Sequence, residues 1–256
     1  MPSRNIRLTV EYKGTSFAGW QIQKDQITVQ GEITRAIAAV TQQEVNLIGA
    51  GRTDSGVHAL GQVANFRIDH DLPAERFAPA LNFHLPDDIR ILRSEAVDYE
   101  FHARYDATWR RYRYLVASER SALWRDYRWE TDRRFDHERL NQAAALILGS
   151  HDFSPFCVVS SLKENNECTI GHAKWRQVGP LLVFEIRGNR FLHSMVRSVV
   201  GAMLNLADTA PDDNPHNLTL PAFRDIILAP QRQRVTFTAP AHGLYLVAVG
   251  YGTGSA

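Results

Sequence analysis

The order of hydrophobic periodicities in the first hundred residues is the feature that most constrains the fold. Residues 6–12 alternate apolar and polar side chains, as in a strand with one buried face. From residue 29 to 40, apolar residues recur every three or four positions, which predicts a helix with Thr28 as its N-cap. Two strands, a short helix and a strand should follow, at 44–49, 61–68, 74–85 and 89–97. The resulting β-α-β-β-α-β order is ferredoxin-like.

The second half repeats this order loosely. We predict a strand at 109–116, a helix at 136–149, a hairpin around Gly179-Pro180, a long helix at 190–207 capped by Asn189, a helix at 221–229 and a strand at 243–251. Residues 208–217 are rich in Pro, Asp and Asn and predict a surface loop. The chain is therefore expected to be α+β, with an N-terminal domain at 1–105, a C-terminal domain at 106–256 and one cleft between them.

Charge is informative locally rather than globally. The net charge of the whole chain is +1, which does not indicate a nucleic-acid binder. Residues 101–134, however, hold nine arginines and no lysine against five acidic residues. Guanidinium groups favour forked contacts with phosphate and stacking on rings. The alternative interpretation is a solvated face with salt bridges.

Two cysteines, Cys157 and Cys168, are too few for a disulfide scaffold and indicate a reducing compartment. The first residues lack the apolar core of a signal peptide, and no apolar run reaches the roughly 18 residues of a membrane span. We therefore expect a soluble cytoplasmic protein. The spacing of the cysteines with His151 and His172 matches no standard zinc site, and the phosphate-binding glycine motifs are missing, so neither metal nor nucleotide cofactor is expected.

The stretch GAGRTDSGVHALGQVANF, residues 49–66, contains a single carboxylate, Asp54. Glycines around it give the backbone freedom, and loops between strands often carry function. Arg52, two residues away, would favour the ionised carboxylate, which can act as a nucleophile or a base. The alternative is that Asp54 only hydrogen-bonds the amides of its own turn.

Two further residues are candidates for a binding site. In the predicted strand 109–116, Tyr112 and Tyr114 share one face, with Arg111 and Arg113 on the other. Tyr112 could stack on a nucleobase, or it could be an ordinary core tyrosine. Arg197 lies in the predicted helix 190–207 between apolar flanks, and such an arginine usually needs a carboxylate partner, either a surface acid or Asp54.

Taken together, five segments resemble the TruA-type tRNA pseudouridine synthases. They are YKGTSFAGWQIQ with TVQGEI, GAGRTDSGVHALGQVANF, FHARYDATWRRYRY, FEIRGNRFLHSMVRSVVG and HGLYLVAVGY, in family order from about residue 4 to 251. The resemblance implies two ferredoxin-like (βαββαβ-type) halves that form a continuous antiparallel sheet with a central active-site cleft. It also implies an enzyme that isomerises uridine to pseudouridine at positions 38, 39 and 40 of the tRNA anticodon stem-loop.

The resemblance also implies roles for individual residues. Asp54 matches the catalytic aspartate and Arg197 the arginine paired with it. Arg52 matches the arginine that enters the RNA stem and helps to extrude the target uridine. Tyr112 and Leu244 match residues that contact the flipped uracil. A tRNA-contacting segment is expected at Phe101, His102, Ala103, Arg104 and Tyr105.

The family works without metal or organic cofactor, as a homodimer with the tRNA across both subunits. Asp54 would either attack C1′ or remove the C2′ proton to give a glycal, and both routes stay open. A non-catalytic RNA-binding or tRNA-folding protein on the same scaffold is the alternative function, although Asp54, Tyr112 and Arg197 are all retained. A base-releasing glycosylase is a third hypothesis, but it would need two carboxylates and the loop has one.

One residue and two segments depart from the family pattern. Ser55 stands where the family usually has alanine, which adds a hydroxyl beside the catalytic residue. The connection 24–27 is short and has one lysine, and the segment 163–168 lacks the arginine often seen there. Both segments are expected to contact RNA, so the departures concern the binding of tRNA rather than the chemistry.

Overall fold

The computed structural model describes residues 3–209, 218–230 and 234–252. The chain divides into two compact units. The first runs to Trp109 and also takes in the chain from Tyr245 onward, and the second is Arg110–Leu244. The predicted C-terminal domain, 106–256, includes the last strand. The structure groups it with the first unit, because Tyr245 pairs there with His58.

The first unit follows the predicted order, which confirms the α+β class for this half. Its elements are β1 (Arg4–Tyr12), α1 (Val29–Thr41), β2 (Ile48–Gly49), β3 (His58–Ile68), α2 (Phe77–His84) and β4 (Ile89–Val97), joined by β10 (Leu244–Tyr251). Strand β1 pairs antiparallel with both β3 and β4. Strand β2 pairs antiparallel with β3, whereas β10 pairs with it in parallel.

Helix α1 begins as its sequence predicts. The Thr28 side chain accepts a hydrogen bond from the Gly31 N–H at 3.2 Å, which satisfies one of the unpaired donors of the first turn. Val29, Ile33 and Ile37 are fully buried, so the apolar stripe faces the core.

Strand β2 is shorter than predicted. Only Ile48 and Gly49 pair with β3, whereas the predicted strand began at residue 44. Just before the strand, the Leu47 carbonyl accepts a hydrogen bond from the Gln30 side chain of α1 at 2.8 Å. This contact, distant in sequence, ties the residue before β2 to α1.

The second unit is also α+β. Its elements are β5 (Ala107–Ala117), which begins in the first unit, β6 (Trp129–Glu130), α3 (His137–Leu146), β7 (Gly149–Asp152), β8 (Glu167–Val178), β9 (Leu181–Gly188), α4 (Met195–Ala207) and α5 (Leu220–Leu228). Strands β5, β9, β8 and β7 pair antiparallel in that order, and β6 pairs in parallel with β5. The predicted hairpin around Gly179 is confirmed, while β6 and β7 were not predicted.

Helix α4 begins five residues later than predicted, so the predicted start at Arg190 and the cap at Asn189 are wrong. The Asn189 side chain instead accepts from the N–H groups of Thr169 and Arg190, at 2.9 and 2.7 Å. The helix follows Ser194, whose φ of +59° is left-handed. Residues 190–193 therefore precede the helix instead of forming its first turn.

The core of the second unit lies between its sheet and α4. Trp175 of β8 stacks on Phe184 of β9, with ring centroids 4.8 Å apart. The Trp175 indole N–H also donates to the Met203 sulfur of α4 at 3.4 Å. The indole N–H of this buried ring thereby has a hydrogen-bond partner, and the bond links the sheet to α4.

Strand β5 has the two faces that its sequence predicts. Tyr112 and Tyr114 are buried, whereas Arg111 and Arg113 are half-exposed on the other side. Arg113 donates to Glu185 of β9 at 2.7 Å. Burial on its own would raise the pKa of Glu185, but the hydrogen bond and charge of Arg113 lower it overall.

Most of the predicted loop 208–217 lies outside the described residues. In the part of the chain that the structure describes, no helix is long and apolar enough to cross a membrane. The same residues contain no group of three or more His, Cys, Asp or Glu side chains arranged to hold a metal ion.

Ser94 of β4 generates a test of this packing. Its hydroxyl is buried and accepts from the Ala78 N–H at 2.8 Å, in the first turn of α2. We expect Ser94→Ala to lower the free energy of unfolding by about 1–2 kcal/mol, because the helix loses a capping acceptor. Urea denaturation measures this. The exposed Ser118→Ala should stay within about 0.5 kcal/mol of wild type, and an equal effect of the two changes would contradict the assigned role.

Candidate active site

Asp54 opens a tight turn that immediately precedes β3. The Val57 N–H donates to the Asp54 carbonyl at 3.2 Å, and Gly56 has a φ of +78°. A positive φ at the third residue of such a turn requires glycine or a similar residue. The carboxylate is half-buried, so it is held by the turn yet open to a ligand.

The segment that follows β1 supports this turn from behind. The Tyr12 hydroxyl and the Thr53 hydroxyl are hydrogen-bonded at 2.7 Å, and both residues are buried. The Trp20 N–H donates to the Thr53 carbonyl at 3.1 Å. The residue before Asp54 is therefore fixed through both its side chain and its backbone.

The hydroxyl of Ser55 has a structural role. It donates to the Phe17 carbonyl at 3.1 Å, so this departure from the family pattern adds a contact between the turn and the supporting segment. A second contact follows the turn, where the Gly14 N–H donates to Nδ1 of the buried His58 at 3.0 Å. His58 in turn stacks on Tyr245, with centroids 4.8 Å apart.

Two glycines in the supporting segment allow this close approach. A Cβ on Gly14 would lie 2.0 Å from the Val57 carbonyl oxygen, and one on Gly19 would lie 2.7 Å from the Thr53 carbonyl oxygen. Gly19 also has a φ of +97°. Both glycines therefore permit backbone-to-backbone packing against the Asp54 turn.

Arg52 lies on the other side of the same loop and is exposed. It lines a groove together with His102, Arg104 and Tyr105 of the predicted RNA-contacting segment. Two parts of the site that are far apart in sequence thus meet on the surface of the first unit.

Phe101 and Ala103 of that segment point inward. The Ala103 N–H donates to the Asn65 side chain at 2.9 Å, and its carbonyl accepts from the Tyr251 hydroxyl at 2.7 Å. The Phe101 carbonyl accepts from the Asn5 side chain at 2.8 Å, and its ring packs on Tyr251. These two residues anchor the segment, whereas Arg104 and Tyr105 are exposed.

In the second unit, Tyr112 faces the buried side of β5. Its ring packs edge-to-face against Phe191, with centroids 5.1 Å apart. Phe191 reaches this position because the chain at 189–194 is not helical. The late start of α4 thus shapes the surroundings of Tyr112.

Arg197 is half-buried in the first turn of α4. Its Nε donates to the Ala239 carbonyl at 2.8 Å, which fixes the plane of the guanidinium group. Its positive charge also opposes the rise that burial causes in the pKa of the Tyr114 phenol. Tyr114 donates its own hydroxyl to the Pro240 carbonyl at 2.8 Å.

Leu244 follows this same stretch and is buried. The turn before it contains His242, whose pKa is lowered by burial, although Asp126 and Glu130 oppose the shift. Gly243 lies directly on the Tyr114 ring, since a Cβ there would come within 2.6 Å of it. Tyr114 therefore links the positions of Arg197 and Leu244.

The model of the tRNA pseudouridine synthase family matches residues 8–106 and 143–252 of this chain. The chain belongs to that family. It is accordingly an enzyme, an isomerase that forms pseudouridine in tRNA. The matched ranges include Asp54, Arg52, Arg197 and Leu244, whereas Tyr112 falls between them.

Curated relatives match along nearly their whole length. A protein of Acetivibrio thermocellus named tRNA pseudouridine synthase A is 44% identical over 97% of this chain and 100% of its own length. A protein of the same name from Chlorobium luteolum is 42% identical over 97% of this chain and 96% of its own. A third, from Thermoanaerobacter, is 39% identical over 97% of this chain and 100% of its own.

Several residues that shape the site of this synthase were missed by sequence reasoning. Asn5 and Asn65 are buried polar residues within strands, and such residues need partners. The sequence shows that these two asparagines lie in or beside predicted strands and would need hydrogen-bond partners. It does not show which residues those partners are. Thr53 and His58 lie inside the segment 49–66, yet their contacts with Tyr12 and Gly14 depend on the tertiary structure.

Gly19 provides a test of the support for Asp54. We expect Gly19→Ala to lower the pseudouridine-forming kcat at least about tenfold, because the Thr53 backbone must shift and catalysis depends on placement of the reacting groups. Tritium release from C5-tritiated uridine in tRNA measures this.

Gly179→Ala is the matched control. Gly179 also has a positive φ, of +57°, but nothing lies within 4 Å of the Cβ position. It should cost stability by about 1 kcal/mol and leave kcat within about twofold. An equal loss of kcat in both variants would mean that backbone strain alone, and not the displaced turn, impairs the enzyme.

Proposed function

We propose that this enzyme converts uridines 38, 39 and 40 of the tRNA anticodon stem-loop into pseudouridine, with Asp54 as the catalytic carboxylate. The observation that carries the proposal is the firmly supported turn that holds Asp54 half-exposed, within a range that matches the family. A side chain that only stabilised its own turn would not need this support from a separate segment.

The reaction requires one carboxylate beside the sugar. The bond from C1′ to N1 breaks, the uracil turns, and a bond from C1′ to C5 forms. The hydrogen on C5 leaves as a proton and N1 takes one up. Asp54 either attacks C1′ as a nucleophile or removes the C2′ proton. Neither route needs an oxidant or a reductant, because the substrate and the product are isomers.

Arg197 would keep Asp54 ionised and oriented. Support comes from its Nε bond to Ala239, which directs the rest of the guanidinium group away from this anchor. A fork of donors held in one plane is suited to a carboxylate. Tyr112 and Leu244 would hold the detached uracil, one by stacking and one as an apolar wall, in keeping with their position beside Phe191 and Tyr114.

Extrusion of a uridine from a paired stem costs a few kcal/mol. Arg52 would offset part of this cost by occupying the space that the base leaves. Its exposure and its place in the polar groove with Arg104 support a contact with RNA. Phosphate contacts by such arginines would make binding weaker at higher salt.

The tRNA would lie across the two subunits of a homodimer in the cytoplasm. The buried free thiols of Cys157 and Cys168 support a reducing compartment. Burial raises the pKa of Cys168 to about 12, which keeps the thiol protonated.

The homodimer is tested by light scattering, which should give a mass of about twice the 29.0 kDa of one chain. A mass of one chain, measured without RNA at the concentration used for activity, would exclude the dimer.

Asp54→Asn tests the catalytic role. It keeps the size of the side chain and removes the charge, so we expect tritium release from C5-tritiated tRNA to fall to the level without enzyme. Binding of the RNA should stay within about threefold of wild type, since the proposed contacts with the RNA backbone come from arginines.

The exposed Asp87→Asn is the matched control and should keep full activity. Turnover by Asp54→Asn would remove Asp54 from the mechanism. A wild-type protein that binds tRNA without releasing tritium, from a panel of tRNAs, would instead support the non-catalytic RNA-binding alternative.

Arg52→Ala tests the extrusion of the base. We expect the variant to lose at least about tenfold more kcat/KM on a uridine paired in the stem than on an unpaired uridine, because only the paired base must be extruded. Two stem-loops that differ in one opposing nucleotide provide the comparison. Equal losses on the two RNAs would argue against this role.

A further inference from the structure

The groove beside Arg52 has the composition of a nucleotide-binding site. Arg52 and Arg104 supply positive charge, and no acidic residue is among the described residues that line it. Amide side chains add neutral donors and acceptors. The lining residues are Trp20, Gln21, Gln30, Asn46, Leu47, Ile48, Gly49, Arg52, His102, Arg104 and Tyr105.

One wall of the groove is an exposed aromatic ring on a rigid support. The Tyr105 side chain is 77% exposed and packs on His102, with centroids 4.3 Å apart and planes at 31°. His102 Nδ1 accepts from the N–H groups of Arg104 and Tyr105, both at 3.2 Å. The His102 N–H donates to Asp106 at 2.8 Å. Tyr105 is therefore presented in a fixed position, so a base could stack on it with little ordering cost.

The size of the groove limits what it can hold. Its volume is about 200 Å³, below the roughly 300–1,000 Å³ of pockets that enclose a whole small molecule. One nucleotide of a longer strand fits this description better than a free ligand does. The groove also lies next to the Asp54 turn, since Arg52 is two residues from Asp54.

We propose that this groove binds one nucleotide of the substrate RNA, a close neighbour of the extruded uridine, with its base stacked on Tyr105 and its phosphate bound by Arg104. Gln21 and Asn46 also line the groove and would contact the edge of that base. The inference rests on the proposed function, because it takes the RNA as substrate. It divides the segment 101–105 into two anchors and three contact residues.

Tyr105→Ala tests the stack. Binding is measured by fluorescence anisotropy with an anticodon stem-loop RNA, in the Asp54→Asn background so that no turnover occurs. We expect the Kd to rise about 5- to 150-fold, the range of one lost stacking contact. Tyr105→Phe should stay within about twofold of wild type, because the ring is kept.

Tyr99→Ala is the matched control. Tyr99 is also an exposed tyrosine, but it lies outside the groove and packs on Arg67. Its replacement should leave the Kd within about twofold. An unchanged Kd for Tyr105→Ala, or an equal rise for Tyr99→Ala, would overturn the inference.

A scan of abasic nucleotides identifies the base that occupies the groove. Each RNA lacks one base within three nucleotides of the target uridine. The effect of Tyr105→Ala on the Kd should shrink to less than about twofold with one of these RNAs and persist with the others. Persistence of the full effect with every RNA would show that Tyr105 does not stack on a neighbouring base.

The outcome is separable from that of the proposed function. RNA binding in the Asp54→Asn background tests whether the groove binds a nucleotide, whether or not the wild-type enzyme releases tritium. With the wild-type enzyme, Tyr105→Ala should raise KM by a similar factor and leave kcat within about threefold. A loss confined to kcat would overturn the inference, because it would place Tyr105 in the chemical step rather than in binding.

Discussion

The structure of the site depends on the hydrogen bonds that hold the Asp54 turn against the segment after β1. A carboxylate in an exposed loop would move over several conformations, and catalysis tolerates little displacement. Here Thr53 is fixed by Tyr12 and Trp20, and Ser55 by the Phe17 carbonyl. These bonds arise because two backbone segments approach closely, which the glycines in the supporting segment permit.

The same logic governs the groove beside Arg52. Buried asparagines in a sheet are costly unless each polar atom has a partner. Asn5 and Asn65 find theirs in the backbone of residues 98–103, so their burial fixes the path of this connection across the sheet. With Phe101 and Ala103 anchored, Arg104 and Tyr105 lie exposed at the surface. The buried asparagines thus place the residues proposed to contact RNA at the surface.

In the second unit, Tyr114 has the corresponding role. Its ring supports Gly243, its hydroxyl holds the Pro240 carbonyl, and its phenol lies in the field of Arg197. The chain from Ala239 to Leu244 is therefore tied to β5 and α4 together. The residues expected to contact the uracil lie around a tyrosine that itself has a packing role.

Elements with strong periodicity can be predicted from the sequence alone, because alternation and helical spacing are local properties. They include β1, α1 with its Thr28 cap, and the hairpin at Gly179. The sequence also identifies the family and places Asp54 in a glycine-containing turn. The start of α4 depends instead on tertiary contacts, since Asn189 bonds to Thr169 of a distant strand. Tertiary contacts likewise decided which residues of 101–105 face outward and that the last strand joins the first unit. Such partners are far apart in sequence, so no local pattern specifies them.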